Sequence, residues 1–301
     1  MTRRSFATRV VNRSRHVRRW AARGRVGHWL KRHDLSTAMK HAAERTRESR
    51  RIHVYCIGPA RSGTTSLSEI FSRNGFRTDH EPLNYDFIPR LASGTFRSSD
   101  RCARYLRERD VLLNLEAESS HFLFEVAPTL AEIFPDARFI CTLRDCFSWL
   151  ESVLNREAAS DTRGQYPYWL LWNKRFTRGR TARTLLENGR LGERPCEDTL
   201  RSYFRYWAYH YHVVESQVPD DRLLLGRTSE LEAELPRISA FLELEKPLRA
   251  VEPQNTGSRK LVRLGEMDVD RLTAIADEVC GPTMERHFPE IRHASDAVTT
   301  V

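Results

Sequence analysis

No run of apolar residues in this 301-residue chain approaches the ~18 needed to cross a bilayer, so no membrane-spanning helix is expected. The N-terminal residues hold no apolar stretch followed by small residues, and no secretory signal is expected either. The six cysteines (Cys56, Cys102, Cys141, Cys146, Cys196 and Cys280) form no C-x-x-C pair and no cluster with histidine. A disulfide framework and a zinc site are set aside on that pattern. The cysteines read as small buried hydrophobes in a reducing compartment, and a cytoplasmic protein is expected. Internal repeats and low-complexity tracts are also lacking.

What is present in excess is positive charge, and it is unevenly spread. The net charge is +9, yet residues 1–51 carry 16 Lys or Arg against three acids, a local net of +13. The other 250 residues therefore stand at −4. Residues 1–50 form a basic extension in which Val10, Val17, Trp20 and Ala21 recur at roughly helical spacing. Such a segment is either a solvated extension or an arm lying on an anionic membrane surface, as a peripheral contact. Nucleic acid is a third partner for it, and an organelle transit peptide has similar composition. The near-neutral body argues against a specific nucleic-acid footprint.

From residue 51 the pattern changes, and residues 51–295 read as one α/β domain. "IHVYCIG", "FRTDHEP", "DVLLNLEA" (110–117), "ARFICTLRD" and "RLLLGRT" are expected strands. "TTSLSEIFSRNG", "TLAEIFPD", "CFSWLESVLNRE", "TLRSYFRYWAYHYHVVESQ" and "ELPRISAFLELE" are expected helices. Strands that alternate with helices and are apolar on both faces predict a parallel sheet covered on both sides. A Gly-, Arg- and aromatic-rich stretch near 157–200 reads as an insertion over the active face.

The chemistry starts at "VYCIGPARSGTTSLSEIF". Gly58-x-x-x-x-Gly63-Thr64-Thr65 follows the phosphate-loop template up to the lysine, where Thr64 stands instead. The cradle survives without it. Gly63 permits a tight turn, backbone N–H groups converge, and the following helix adds its positive N-terminus. Hydroxyls of Ser62, Thr64, Thr65 and Ser66 add donors, and Arg61 supplies the cation. The missing lysine speaks against the β- and γ-phosphates of ATP. A second position lies in "FICTLRDCFSWLESVLNR". Arg144 ends a strand there and Ser152 falls about two turns into the next helix, so both can meet a separate phosphate at the strand C-termini.

Together these motifs resemble the sulfotransferases that use 3′-phosphoadenosine 5′-phosphosulfate (PAPS). "GPARSGTTSL" resembles their 5′-phosphosulfate loop in its arginine form, and "LRDCFSWLESVL" their 3′-phosphate site. "RLLLGRTSELEAELPRISAFLEL" is similar to the family's late strand, acidic-Leu turn and helix. The resemblance covers roughly residues 52–290. It implies a three-layer α/β sandwich with a central parallel sheet, of the P-loop nucleotide-binding type. It also implies PAPS as donor, 3′,5′-ADP as product, and no metal. "NTGSRK" (255–260), with Ser258, Arg259 and Lys260, reads either as the family's C-terminal closing loop, which would bring Arg259 to the donor, or as an ordinary exposed turn. Arg227, Thr228 and Ser229 before Glu230 depart from the acidic pair and aromatic often found there.

Transfer needs a general base for the acceptor, an alcohol or amine such as a carbohydrate or glycolipid. Glu81 in "TDHEPLNYDF" stands twenty residues after Arg61, similar to the proposed glutamate of the tyrosylprotein branch. His121 in "ESSHFLFEV" stands 23 residues before Arg144, where the cytosolic small-molecule branch has its histidine. His80 beside Glu81 is the third choice, and Glu116 and Glu118 read as solvated or structural. Tyr166, Tyr168, Trp169 and Trp172 either stack on an acceptor or form the insertion's own core. Two rivals stand beside this: a P-loop kinase, for which Asp145 is the obvious magnesium ligand, and a non-catalytic nucleotide- or anion-binding protein.

Overall fold

Val54 and Cys56 of strand β1 (Val54–Cys56) pack into one hydrophobic cluster, and Tyr55 and the following Ile57 into another. Strand β4 (Arg138–Leu143) alternates in the same way, with Ile140 in the first cluster and Phe139, Cys141 and Leu143 in the second. Alternation with both sides apolar forces a layer of helices onto each face. The structure is a computed structural model and describes residues 49–159, 194–251 and 262–298. The sheet is completed by β2 (Thr78–His80), β3 (Ala117–Ser119) and β5 (Leu223–Arg227). Its order is β2-β3-β1-β4-β5, and every neighbouring pair is parallel.

The described helices, in chain order, begin with α1 (Thr64–Arg73), α2 (Asn84–Ala92), α3 (Ser99–Leu113), α4 (Ala127–Ile133) and α5 (Cys146–Ala159). They continue with α6 (Arg194–Gln217), α7 (Leu231–Phe241), α8 (Val269–His287) and α9 (Ala294–Val298). Helices α1 and α7 cover one face through Leu67, Ile70, Phe71, Leu235 and Ile238. Helices α2 to α6, α8 and α9 contribute to the cluster on the other, around Phe139, Trp149, Tyr203, Phe204 and Trp207. The chain leaves β1 toward β3 and β2 on one side and reaches β4 and β5 on the other. That reversal opens a crevice beyond the C-terminal end of β1.

Two expectations are corrected here. "DVLLNLEA" is not one strand. Its first four residues end α3, whose buried Cys102, Tyr105, Leu106, Arg109, Leu112 and Leu113 follow helical spacing. Asn114, at φ 44°, stops that helix, and the strand begins only at Ala117. The stretch set at 157–200 is shorter at both ends. Residues up to Ala159 belong to α5, and from Arg194 onward to α6. Its middle, with Tyr166, Tyr168, Trp169 and Trp172, lies outside the described residues.

All six cysteines are free and buried. Glu116 and Glu118 are buried and structural rather than solvated. Glu116 pairs with Arg51 and receives the backbone N–H groups of Arg51 and Arg77, and its carboxyl is pulled down to about 2. Glu118 takes both terminal nitrogens of Arg109, at 2.5 and 2.6 Å. Arg50, counted in the basic extension by charge, is docked on the body through Asp110 at 2.8 Å. Among the described residues no helix is long and apolar enough to cross a membrane.

Candidate active site

The loop between β1 and α1 is held by its carbonyls. Ile57 O accepts from His210 Nε2 at 2.6 Å, Ala60 O from Trp149 Nε1 at 2.8 Å, and Arg61 O from an Arg144 guanidinium nitrogen at 2.8 Å. Ser62 O accepts from the Thr228 hydroxyl and Thr64 O from the Ser119 hydroxyl, each at 2.6 Å. Pro59 O is taken inside the loop by the Ser62 hydroxyl at 2.7 Å, and Gly63 O by the Leu67 N–H. Every carbonyl from Pro59 to Thr64 thus faces a donor in the scaffold or the loop. The first-turn N–H groups of α1 have no intrahelical acceptor. No side chain caps that end, and no acid stands in its first turn. A dipole end left in this state suits an anion.

Two glycines are required by the space. A Cβ on Gly58 would lie 2.0 Å from Thr142 Oγ1 and 2.7 Å from Ser62 Oγ. Gly63 has φ +94° and faces Thr228 Cγ2 at 3.1 Å from where its Cβ would be. Ser62 is fully buried, its hydroxyl also 2.7 Å from Thr142 Oγ1, so it braces the loop rather than facing outward. Thr64 Oγ1 and Thr65 Oγ1 each lie 3.3 Å from His80 Nε2. Burial lowers the His80 pKa, against the pull of Glu81, so the ring is neutral near pH 7. Thr65 is exposed and Ser66 half-buried.

The two arginines are interlocked. Arg144 reaches the Arg61 carbonyl, and Arg61 Nε donates to Ser152 Oγ at 3.1 Å. The expected convergence of Arg144 and Ser152 therefore runs through Arg61. Arg144 itself donates through Nε to Ser148 Oγ, one turn earlier on α5, at 3.1 Å. Burial lowers the Arg144 pKa; Asp145 offsets this in part, and the Arg61 charge adds to it. Arg61 also carries a left-handed backbone, φ 68°.

On the other side of the crevice, Glu81 follows β2 with φ 55°, and Leu83 has φ 57°. Non-glycine residues in that region cost of order 1–3 kcal/mol each and persist where surrounding contacts hold them. Those contacts are present. Glu81 N donates to Ser119 O at 2.8 Å, and Arg109 donates to Pro82 O at 2.8 Å while bound to Glu118. The Glu81 carboxylate receives Asn84 Nδ2 at 2.9 Å on Oε2 and His121 Nδ1 at 2.5 Å on Oε1. Burial raises its pKa. The charge and hydrogen bond of His121, with His80 and Asn84, outweigh this and leave it below the ordinary carboxylate value. Glu81 is the more open of the pair, its side chain 24% exposed against 6% for His121.

Asp145, the acid a magnesium-dependent kinase would use, is engaged at the start of α5. It accepts the N–H groups of Phe147 and Ser148 and the Ser148 hydroxyl. Arg259 lies outside the described residues. Ser119, Trp149, Trp207, His210 and Tyr211 carry no motif of their own in the sequence, and Thr228 stands out there only as part of the departure before Glu230. In α6 one signal was available: the buried face carries Trp, Tyr and His where Leu would pack as well. Aromatics with polar tips need hydrogen-bond partners when buried.

A family model described as a sulfotransferase domain matches residues 53–259. Among solved structures the chain is similar to a sulfotransferase from Alicyclobacillus acidocaldarius (16% identity, TM-score 0.43, covering 79% of this chain and 96% of that one). It is also similar to the sulfotransferase STF9 from Mycobacterium avium (12% identity, TM-score 0.43, 87% and 83%). A sulfotransferase domain from the curacin biosynthetic pathway is similar at 12% identity and TM-score 0.34, over 70% of this chain and 80% of that one. No curated protein matches.

Proposed function

This chain belongs to the sulfotransferase domain family, and we propose that it moves a sulfuryl group from PAPS to a hydroxyl or amine of an acceptor. The observation that carries the choice of donor is the interlock of Arg61, Ser152 and Arg144: the Arg144 guanidinium holds the Arg61 backbone carbonyl while the Arg61 side chain donates to Ser152, which brings two cationic side chains to one edge of the sheet. A donor with two separate anionic groups suits that pair.

The residues fit such a donor. The backbone at Gly58 leaves no room for a side chain, the N-terminus of α1 is uncapped and free of acids, and Arg144 feels the repulsion of Arg61. The N–H groups and hydroxyls of Gly63, Thr64, Thr65 and Ser66, with Arg61, would hold the 5′-phosphosulfate, and Ser62 would brace them. Arg144 and Ser152 would hold the 3′-phosphate, and Arg259 is retained as a third contact from the resemblance. When bound, PAPS supplies the activated sulfuryl group and departs as 3′,5′-ADP.

The remaining work falls to the chain. Arg61 and the loop N–H groups stabilise negative charge growing at the 5′-phosphate side. Glu81 takes the proton of the acceptor, because it is ionised and is the more open member of its pair. His121 holds Oε1 of Glu81 and Asn84 holds Oε2, so the carboxylate is aimed before an acceptor arrives. His80 keeps the Thr64 and Thr65 hydroxyls in register. The acceptor is proposed to be a carbohydrate or glycolipid, on the aromatics near 166–172, with the basic residues 1–50 supplying peripheral contact to a membrane from the cytoplasm. Residues 51–295 form the transferase domain in this proposal.

The test is thermal stability with 3′,5′-ADP, 5′-ADP and Mg-ATP. A ligand that binds only the folded state raises the midpoint with its occupancy. A shift with 3′,5′-ADP that is lost in Arg144→Ala is the expected result. A larger shift with Mg-ATP, or none with any nucleotide, overturns it.

A further inference from the structure

Helix α6 reaches the backbone of both donor loops, and it does so with polar tips of aromatic side chains. His210 Nε2 lies 2.6 Å from Ile57 O, at the point where the chain leaves β1 for the phosphate loop. Tyr211 OH accepts from Arg144 N at 3.0 Å and donates to Thr142 O at 3.1 Å. Trp207 Nε1 donates to Arg144 O at 2.9 Å. Spacings of three and four residues put these side chains on one face of the helix. We propose that α6 is a positioning element for the donor: His210 sets the phosphate loop directly, while Tyr211 and Trp207 set Arg144, which also holds the loop at the Arg61 carbonyl. This rests on the donor assignment above.

Packing alone does not explain His210. The ring is fully buried and stacked on Phe124, with centroids 4.0 Å apart. Phenylalanine would fill such a place without desolvating two nitrogens. The Ile57 carbonyl accepts, so Nε2 carries the proton and Nδ1 is bare. Nδ1 has no hydrogen-bond partner among the described residues. A buried polar atom left so is costly, and it persists here beside the one bond that Nε2 makes. That bond acts at a sensitive point. Ile57 N is held by Ile140 O at 2.8 Å and its carbonyl by His210, and the next residue, Gly58, packs so close to Thr142 that a Cβ there would lie 2.0 Å from its Oγ1. A small change at Ile57 is therefore carried into the N–H groups beyond it. Tyr211 and Trp207 grip Arg144 from both sides of its own peptide units, which fixes where its guanidinium starts from.

The experiment uses the full chain and two half-donors. 5′-AMP probes the phosphate loop and 3′-AMP probes Arg144, each titrated by calorimetry. His210→Phe weakens 5′-AMP about tenfold or more and leaves 3′-AMP within about threefold. His210→Gln, whose amide can still donate to Ile57 O, restores 5′-AMP affinity. Tyr211→Phe weakens 3′-AMP most, with a smaller loss for 5′-AMP because Arg144 also holds the Arg61 carbonyl. If His210→Phe does not fold, His210→Asn, too short to reach the carbonyl, takes its place. A purely structural role lowers the thermal midpoint while the folded protein binds both ligands as before, and that result overturns the proposal. So does an equal loss of both affinities in either variant. If the unsubstituted protein binds neither nucleotide, the donor assignment falls and this proposal falls with it.

Discussion

Nδ1 of His121 lies 2.5 Å from Oε1 of Glu81, although forty residues of sequence separate them. The bond crosses from the end of β2 to the turn after β3, and a second bond from Asn84 fixes the other carboxylate oxygen. Two residues that compete as candidate bases in the sequence are thus one unit in the fold.

Glu81→Gln keeps the shape of the side chain and removes its basicity. It should lower kcat by about 10²–10⁴-fold, the range of a general base. Affinity for 3′,5′-ADP should be unchanged by calorimetry. Full activity in this variant would show that the proton leaves by another route.

His121→Asn removes the main influence that keeps the Glu81 pKa low. The sign follows from the direction. Glu81 is held below the ordinary carboxylate range, so with Glu81 as the proposed base the acid limb of kcat should lie there. Without His121 the pKa rises, and the acid limb should move to higher pH. The stability that Glu81 gives above its unfolded pKa, lost as pH falls through the folded value, should shrink in the same variant. A pH–rate profile and thermal midpoints at several pH values check both.

Gly58→Ala places a Cβ against Thr142 Oγ1 and Ser62 Oγ, with the Thr142 backbone nitrogen 3.0 Å away. Overpacking of this kind costs about 1–3 kcal/mol. Here relief requires the loop or β4 to move. Urea unfolding should show the loss, and 3′,5′-ADP binding should fall further than the fraction unfolded explains.

Acid should destabilise the protein earlier than its carboxylates account for. Burial holds His210 down at about 3, and His80 is lowered as well. The unfolded chain binds protons at these residues from an ordinary pKa of about 6.5, and the native state binds them only at lower pH. Stability is therefore present above that value and is lost as pH falls below it, with a slope of up to about 1.4 kcal/mol per pH unit for His210 and a contribution of the same sign from His80. His210→Gln should flatten the curve from roughly pH 6.5 down to about 3.

The phosphate loop and the parallel sheet were legible because Gly58, Gly63 and the apolar strands carry their reasons locally. The short strand at Ala117 was not. The helical spacing of Leu106, Arg109, Leu112 and Leu113 runs up to it, and an alternating reading of "DVLLNLEA" fits the same letters. Arg144 directly follows β4 and Ser152 lies on α5, next to where the strand-then-helix reading put them. Their link through Arg61 depends on the left-handed turn at that residue, which no spacing rule predicts for arginine. The donors on α6 were least legible. They bind backbone carbonyls, and a carbonyl leaves no mark on the identity of its residue.

Grips on backbone oxygens bear on how such a protein can change its ligand. The posts that hold the loop stand at Ser119, Arg144, Trp149, His210 and Thr228, and each grips a peptide oxygen rather than a side chain. The path of the chain is thereby insured against replacement of the loop's own side chains. At position 64 a threonine occupies the place of the template's lysine while its carbonyl stays tied to Ser119. Chemistry at the loop surface can be rewritten one residue at a time, and the mould beneath it keeps its form.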